Sequence, residues 1–162
     1  MPHEERVQVS DWVVVRAKEE SLTDINALIA RSKAYWNWPA GYLERALVLQ
    51  RIDVDYLRAH LNFEVRDRQN ELIGFFAVVA SDGRVVLDHL WVTPERIGQG
   101  IGRWACEYVF QLARDHSWSE LWVVPDPPAE GFYQRIGFVD TGERVPSRVS
   151  GGPLFSVFRV RL

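Results

Sequence analysis

Glycines alternate with other residues from Gly98 to Gly102, within the stretch PERIGQGIGR. A run rich in β-branched and aromatic residues precedes this stretch, and a run with helical spacing follows it. Glycine is costly in regular structure and is used where a chain turns tightly or where a ligand approaches backbone amides. A strand, a glycine loop and a helix N-terminus offer an anion free N–H groups and the positive end of the helix dipole. The pattern therefore predicts a site for a phosphate-bearing ligand.

Two common phosphate-binding motifs do not fit this loop. A P-loop has Gly-Lys followed by Ser or Thr, whereas Arg103 and Trp104 follow Gly102 here. A dinucleotide fingerprint needs the spacing G-x-G-x-x-G and an acidic residue at the end of the next strand, whereas Glu120 precedes its predicted strand. P-loop ATP chemistry and dinucleotide binding are therefore not favoured.

A second motif, DPPAEGFYQRIGF, runs from Asp126 to Phe138. Asp126 followed by Pro127 is a good helix start, because Asp accepts from free amides and proline fits the first helical position. We therefore predict that Asp126 caps a short helix that ends near Gly137. Tyr133 lies on this helix, either as a core aromatic whose hydroxyl is satisfied locally or as a functional group.

Together the two motifs resemble those of the GNAT superfamily of N-acetyltransferases. The residues IGQGIG at 97–102 are similar to the family's acetyl-CoA motif [Q/R]-x-x-G-x-[G/A], with Ile97 at the position of the usual Gln or Arg. The second motif is similar to N-x-x-A-x-x-F-Y followed by G-F, with Asp126 in place of the usual Asn. The upstream segments GFFAVV and LDHLWVTPE extend the resemblance over the C-terminal part of the chain.

The resemblance implies an acetyl-CoA-dependent transfer to an amine by direct attack. The pantetheine arm would lie between a splayed fourth and fifth strand, a backbone amide near Leu90 to Val92 would polarise the thioester carbonyl, and Tyr133 would protonate the departing thiolate. No metal is expected. The predicted coenzyme contacts are Leu90, Trp91, Val92, Ile97, Gly98, Gln99, Gly100, Ile101, Gly102, Arg103, Asp126, Phe132 and Arg135.

A base is expected on the predicted fourth strand. An alkylamine with a pKa near 10 is only about one part in a thousand neutral at pH 7, so proton removal should help attack. Asp88 and His89 are adjacent on this strand, and alternation sends them to opposite faces. We predict that Asp88 is the base, because the family's bases are often carboxylates on this strand, and that His89 is a sheet residue.

The acceptor side is predicted to involve the stretch KAYWNW, from Lys33 to Trp38. Core packing is the common explanation of such aromatic clusters. If Trp36 or Trp38 instead faces the opening, its ring would suit an apolar or cationic acceptor. Both explanations stay open at this point.

The elements that position these residues predict one α+β domain over residues 1–162 with a GNAT-like fold. Strand and helix patterns alternate at the N-terminus, an antiparallel meander follows from Asn62, and helices and strands alternate again after the glycine loop. The total is about seven strands in a central mixed, mostly antiparallel sheet with four flanking helices.

Composition limits the partners and the location. The chain has 162 residues, a net charge of −3 and one cysteine, Cys106, which we expect in the core. Without a basic field, no nucleic-acid partner is expected. The start MPHEERVQVSDW has no apolar stretch of signal length and no later segment reaches a membrane span, so a cytoplasmic protein without a membrane partner is expected. The last strands are suited to a homodimer contact.

The sequence therefore predicts an N-acetyltransferase that uses acetyl-CoA and a small-molecule amine acceptor. Two alternatives remain at this point. One is acetylation of a protein N-terminus or lysine, and the other is a non-catalytic GNAT-like sensor of CoA.

Overall fold

The computed structural model of the protein describes residues 11–162, so the expectation drawn from the N-terminal stretch falls mostly outside the described residues. Within this range one sheet has the strand order β1-β2-β3-β4-β5-β7-β6. The strands are β1 (Val13–Arg16), β2 (Leu61–Arg66), β3 (Leu72–Ser81), β4 (Arg84–Val92), β5 (Glu120–Val123), β6 (Val139–Pro146) and β7 (Leu154–Arg161). The α-helices are α1 (Leu22–Ala34), α2 (Tyr42–Gln50), α3 (Val54–Ala59), α4 (Ile101–Asp115) and α5 (Glu130–Ile136).

The sheet is mixed and mostly antiparallel, as predicted. Only β4 and β5 pair in parallel, and every other neighbouring pair is antiparallel among the described strands. The described residues form five α-helices rather than four. The additional helix α3 has six residues, too few for a hydrophobic period to be recognised, although Asp53 caps it by accepting from the Tyr56 amide at 2.8 Å.

Two hydrophobic cores cover the two faces of the sheet. Phe76 and Leu90, paired across β3 and β4, belong to the core under α4 and α5. The neighbouring pair, Phe75 and Trp91, belongs to the core under α1, because successive strand residues point to opposite faces. Cys106 is buried in the α4 core, as expected, and burial raises the pKa of its thiol to about 12.

The fourth and fifth strands separate soon after they meet. Their paired register consists of Val86 with Trp122, whereas β4 continues to Val92. A β-bulge lies just beyond the paired position, since Val78 pairs with Leu87 and Ala77 pairs with His89, which leaves Asp88 as the extra residue. A bulge bends its strand and increases the local twist. It therefore turns the end of β4 away from β5 and opens a gap in the sheet.

Among residues 11–162, no helix combines the length and the apolar character that a membrane crossing requires.

Candidate functional site

The gap between β4 and β5 opens into a cleft with a volume of about 560 Å³. One wall is the end of β4, and the other is the segment from Val123 to Asp126 with the helix α5 that follows. The glycine loop and the start of α4 close one end. A cleft of this size suits an extended small ligand.

The glycine loop presents bare backbone to the cleft. Gly98 and Gly100 have φ values of 86° and 89°, in the left-handed region that favours glycine, and Gly100 caps α4 without a side-chain hydrogen bond. The first helical bond runs from the Trp104 amide to the Gly100 carbonyl at 3.0 Å. The amides of the first turn therefore lack partners within the helix, and no acidic side chain of that turn competes for them. The start of α4 is suited to an anion.

Gly102 has a different role from the other two glycines. A Cβ atom at this position would lie 3.1 Å from Cζ of Phe132, which is on α5. The absence of a side chain therefore lets α4 and α5 pack closely at the cleft.

Arginine side chains lie around this end of the cleft. Arg103 and Arg135 line it together with Arg96, whose Nη2 donates to Asp67 Oδ2 at 2.8 Å. Asp67 is buried and compensates the charge of Arg96, whereas the pair between Arg103 Nε and Glu107 Oε1 is longer, at 3.8 Å, and exposed, so Arg103 and Arg135 are the better partners for an anion. Among the predicted contacts, Ile97 also lines the cleft, whereas Gln99 lines a separate cavity of about 240 Å³.

The end of β4 directs backbone groups into the gap. The Thr93 amide donates to the Ile73 carbonyl of the β3 side at 2.9 Å. Because N–H groups alternate along a strand, those of Leu90 and Val92 point away from β3, toward the cleft. The Val92 carbonyl accepts from Ser32 Oγ at 2.8 Å, which ties α1 to this wall.

The ring of Tyr133 is buried at the bottom of the cleft. It makes edge contacts with Phe132 and Phe138 at centroid distances of 5.0 and 5.5 Å. Its hydroxyl has no hydrogen-bond partner among residues 11–162. The interpretation of Tyr133 as a core aromatic whose hydroxyl is satisfied locally therefore does not hold. Burial raises the pKa of Tyr133 well above 10, and Cys106 and Asp126 raise it further. The hydroxyl is therefore protonated at neutral pH.

Asp88 and His89 lie on the same side of the sheet, so the prediction that alternation separates them is wrong. The Tyr56 hydroxyl donates to Asp88 Oδ2 at 2.5 Å, and His89 Nε2 lies 3.8 Å from the same oxygen. The bulge at Asp88 breaks the two-residue period that the prediction assumed. Asp88 lines the cleft, whereas His89 packs beneath it.

The comparisons with known proteins identify the family. Residues 25–138 match the model of the Acetyltransferase (GNAT) family. The chain belongs to the GNAT acetyltransferase family. Human N-acetyltransferase 8B is 32% identical over 140 residues, which cover 76% of this chain and 58% of the relative. Rat N-acetyltransferase family 8 member 2 is 29% identical over 119 residues, which cover 67% of this chain and 53% of the relative. The chain therefore spans little more than half the length of these relatives.

Solved structures share the GNAT fold. The PaiA N-acetyltransferase of Thermoplasma acidophilum, in complex with coenzyme A, has a TM-score of 0.77 and 13% identity, over 94% of this chain and 100% of that one. A GCN5-related N-acetyltransferase of Rhodopseudomonas palustris has a TM-score of 0.78 and 18% identity, over 94% of this chain and 97% of that one. At these identities the likeness concerns the fold alone.

The GNAT cleft has two halves that correspond to the two faces of the sheet. The glycine loop, α4, α5, Leu90 and Val92 form the half that we call the α4 half. The opposite half, which we call the α1 half, is lined by Ser32, Trp36, Gln50, Asp88 and Trp91. The gap between β4 and β5 connects the two halves.

Asp126 does not cap the helix that follows it, so that prediction is wrong for its side chain. Both carboxylate oxygens accept from Lys33 Nζ at 3.2 Å, and no capping bond forms. The side chain of Lys33 is 2% exposed and that of Asp126 is 19% exposed. Burial raises the pKa of Asp126 although Lys33 opposes the shift. The pair joins α1 to the segment between β5 and α5 across the base of the GNAT cleft.

Lys33 begins the stretch KAYWNW, but neither its pairing with Asp126 nor the presence of Tyr56 in the site was predicted. A signal for Lys33 was present, because it falls on the buried stripe of α1 with Ile25, Leu28 and Ile29. A lysine on such a stripe needs a buried partner. Tyr56 gave no comparable signal, since α3 itself was not recognised.

The two tryptophans proposed for the acceptor side have different positions. Trp36 lines the α1 half and is 36% exposed. Trp38 packs on Tyr42 at 5.1 Å, and its Nε1 donates to the Lys33 carbonyl at 2.8 Å. Its ring lies 4.5 Å from Lys33 Nζ and is not part of the cleft lining. Trp36 therefore keeps its assignment as a predicted acceptor contact, and Trp38 supports the Lys33–Asp126 pair.

The tautomer of His89 follows from its neighbour. Trp91 Nε1 donates to His89 Nδ1 at 2.8 Å, and an indole N–H can only donate, so Nε2 of the neutral ring carries the hydrogen. Burial lowers the pKa of His89 to about 4, against the opposing effect of Asp88. The groups that the described part of the chain places beside the Asp88 carboxylate, His89 and the Tyr56 hydroxyl, are therefore both neutral.

His89 predicts a loss of stability in acid. Its pKa falls from 6.5 to about 4 on folding, so the unfolded chain binds more protons between these values. The free energy of unfolding should decrease as pH falls from 6.5 toward 4, by up to about 3 kcal/mol from this group. Urea unfolding at pH 7 and pH 4.5 should show a smaller decrease in His89→Gln, whose amide still accepts from Trp91. The exposed His116→Gln should behave like the native chain, and equal decreases in all three would contradict the assignment.

Proposed function

We propose that this chain is an N-acetyltransferase that transfers acetyl from acetyl-CoA to a small-molecule amine within a ternary complex. The observation that carries the proposal is the cleft between β4 and β5. At one end lie the first amides of α4, and at its base lies the Tyr133 hydroxyl, none of which has a partner within residues 11–162. The family match and the coenzyme A complex of the Thermoplasma acidophilum neighbour support it.

The α4 half suits the coenzyme. The amides of Gly100 to Arg103 would hold the pyrophosphate, with charge from Arg103 and Arg135. These contacts use the backbone, so Ile97 in place of the usual family residue does not remove them. The amides and carbonyls of β4, with the Phe132 ring opposite, would hold the pantetheine arm in the gap. Acetyl-CoA supplies the activated thioester.

The predicted coenzyme contact at Asp126 needs a modified role. Its carboxylate is already shared with Lys33, so its contribution is to fix the shape of the wall that the pantetheine arm meets. Gln99 lines the separate cavity rather than the cleft, and we leave it out of the proposed site.

The transfer needs one proton donor and one proton acceptor. The amine nitrogen bonds to the thioester carbonyl carbon, the carbon–sulfur bond breaks, and Tyr133 gives its hydroxyl proton to the departing sulfur. The acceptor binds as an ammonium, so its nitrogen loses two protons in turn, one before the attack and one as the amide forms. Each proton passes to Asp88, directly or through water, and from there to solvent. Solvent returns a proton to Tyr133, so the products are the amide, the free thiol and one proton. The amides of Leu90 and Val92 are the donors suited to the carbonyl oxygen.

Coenzyme binding can be tested at the glycine loop. The variant Gly100→Ala places a Cβ atom on a residue at φ 89°, so the loop must shift and its amides lose their alignment. We expect calorimetry to show an affinity for CoA that is about tenfold lower, which corresponds to about 1.4 kcal/mol.

Gly83→Ala is a matched control for this variant. Gly83 has a φ of 76° and open space around it, like Gly100, but it lies in the turn between β3 and β4 and does not line the cleft. It should lower the melting temperature by a similar amount and leave the affinity for CoA unchanged. Equal affinities in the two variants would remove the loop from the proposed site, and the absence of any CoA binding by the native chain would overturn the proposed function.

Release of the thiol separates this function from its two alternatives. The proposed enzyme should release thiol from acetyl-CoA with small amines. A protein acetyltransferase would release it with peptides alone, and a sensor would bind CoA without releasing thiol in either assay.

A further inference from the structure

The α1 half of the cleft has the charge of a single carboxylate. The acidic residues that line the cleft are Asp88 and Asp126, and Lys33 compensates Asp126. Asp88 has no such partner, because Tyr56 is neutral and His89 is neutral at pH 7. Its side chain is 44% exposed, so a ligand can reach it. The α1 half thus has one negative charge that no described cation neutralises.

Basic side chains within the cleft lie in the other half. Arg103 on α4 and Arg135 on α5 belong to the α4 half, and Arg96, in the turn before the glycine loop, is paired with Asp67. Lys33 Nζ pairs with Asp126 and lies 5.7 Å from the centroid of the Trp91 ring without lining the cleft, and Nη2 of Arg31 is directed to Thr93 Oγ1 at 3.4 Å. Among residues 11–162, no lysine or arginine lines the α1 half. An acceptor with a carboxylate beside its amine would therefore meet Asp88 without a cation to offset the repulsion.

Indole rings form the apolar part of the α1 half. Trp36 and Trp91 both line it, and Trp36 is flanked by the Tyr35 ring at a centroid distance of 4.9 Å. The hydrogen bond from Trp91 Nε1 to His89 fixes the orientation of the Trp91 ring. Gln50 adds one neutral polar group. An apolar or aromatic body would pack favourably against this wall, and the Trp36 ring would also attract an ammonium group, whereas the Trp91 ring already has Lys33 Nζ at 5.7 Å.

We propose that the acceptor of this enzyme is a monoamine with an apolar, preferably aromatic, body and with no carboxylate or second ammonium group. The inference rests on the proposed function and names the acceptor class of the same site. Asp88 would pair with the ammonium group, and Trp36 and Trp91 would contact the body. Amino acids are disfavoured because Asp88 repels their carboxylate. Polyamines are disfavoured because a second ammonium group would find no further uncompensated carboxylate.

A matched set of amines tests the proposal. Thiol release should be measured with five amines, of which 2-phenylethylamine is the reference. L-Phenylalanine adds a carboxylate to it, and L-phenylalaninamide replaces that charge by a neutral amide. n-Propylamine lacks the ring, and spermidine adds further ammonium groups. We expect kcat/KM for 2-phenylethylamine to exceed that for L-phenylalanine about 100-fold and that for n-propylamine about tenfold. L-Phenylalaninamide should have a kcat/KM much closer to that of 2-phenylethylamine, because it lacks the carboxylate charge that lowers kcat/KM for L-phenylalanine. Comparable values for L-phenylalanine or spermidine would overturn the proposal.

Substitutions at Asp88 and Trp36 test which side chain causes each part of the selectivity among amines. In Asp88→Asn the ratio of kcat/KM between 2-phenylethylamine and L-phenylalanine should fall toward one, whatever happens to the rates, because the repelling charge is gone. In Trp36→Ala the advantage of 2-phenylethylamine over n-propylamine should shrink. Asp82→Asn is the matched control, since Asp82 is an exposed acid in the turn that leads into the same strand. Asp82→Asn should leave both ratios unchanged. If the ratio of kcat/KM between 2-phenylethylamine and L-phenylalanine is also unchanged in Asp88→Asn, the role of Asp88 is contradicted.

Amine binding measured without catalysis distinguishes a failure of the acceptor class from a failure of the proposed function. With CoA present, tryptophan fluorescence should show tighter binding of 2-phenylethylamine than of L-phenylalanine. If no amine releases thiol from acetyl-CoA but this order of affinities holds, the proposed function fails and the acceptor class stands. If thiol is released with L-phenylalanine or spermidine as readily as with 2-phenylethylamine, the function stands and the acceptor class fails.

Discussion

Tyr133→Phe should reduce kcat about 100-fold, because positioned proton donors contribute this much or more. The Tyr133 hydroxyl lies at the base of the cleft with no partner among residues 11–162, and burial keeps it protonated by raising its pKa. Without it, the departing sulfur must take its proton from water. The affinity for CoA should be unchanged, since the phenylalanine ring keeps the contacts with Phe132 and Phe138. Single-turnover kinetics and calorimetry measure the two quantities separately.

A matched control for Tyr133→Phe is Tyr42→Phe. Tyr42 is also buried, but its hydroxyl is within 3.2 Å of Ser147 Oγ and does not line the cleft. Tyr42→Phe should lower stability by about 1 kcal/mol and leave kcat unchanged. Tyr133→Phe should lower kcat and leave stability nearly unchanged, since the hydroxyl that it removes makes no hydrogen bond with residues 11–162. A Tyr133→Phe enzyme with native kcat would show that water supplies the proton.

The pH profile gives a second test of Tyr133. An acid acts in its protonated form, so the step is active below the pKa of Tyr133 and is lost above it. Because that pKa is raised well above 10, Tyr133 should cause no decrease in kcat on the alkaline side up to pH 10. A decrease at lower pH that disappears in Tyr133→Phe would contradict the assigned protonation state.

Local patterns predicted the parts of the site that depend on a few consecutive residues. The glycine loop needs left-handed backbone at Gly98 and Gly100, and the helix α4 that follows has its own period. The motif at 126–138 likewise marked α5 and its end at Gly137, which has a φ of 116°. The splay of β4 and β5 followed from the family resemblance, because a single sequence contains no signal for missing strand pairing.

Contacts between distant segments were not predicted. Lys33 and Asp126 are 93 positions apart, and each has a local explanation that competes with the pair. Asp before proline is a good helix cap, yet a buried ammonium group binds a carboxylate more strongly than weakly held amides do. Tertiary contact therefore overrode the local preference.

The bulge at Asp88 shows a second limit of sequence patterns. A strand that gains one residue looks like any other strand when no glycine or proline marks the position. Alternation was correct on each side of the bulge, since Leu87 and Leu90 both face the α4 core, and failed at the inserted residue. The same insertion brings Asp88 beside Tyr56 and His89, so the irregularity that defeated the prediction is also what assembles the α1 half.

Lys33→Met should destabilise the protein strongly. It removes the ammonium group that pairs with the Asp126 carboxylate and keeps an apolar chain of similar length against Trp38 and Trp91. Breaking a fully buried pair costs about 3–5 kcal/mol, and because Asp126 is 19% exposed and can recruit water we expect about 2–3 kcal/mol by urea unfolding at pH 8. Lys18→Met, which alters the exposed lysine before α1, should stay within about 0.5 kcal/mol of the native chain.

The double variant and the pH dependence show whether the missing charge is the cause. In Lys33→Met the pKa of Asp126 rises further, so the folded chain holds that proton where the unfolded chain has lost it. Its destabilisation should therefore be largest at pH 8 and shrink as pH falls through the folded pKa of Asp126. Lys33→Met with Asp126→Asn should recover much of the stability, because two neutral groups replace the pair. Asp126→Asn alone should cost more than Lys33→Met, since Lys33 is the more deeply buried partner. A double variant with the summed loss of the two single variants would mean that packing, and not charge, connects α1 to this wall of the cleft.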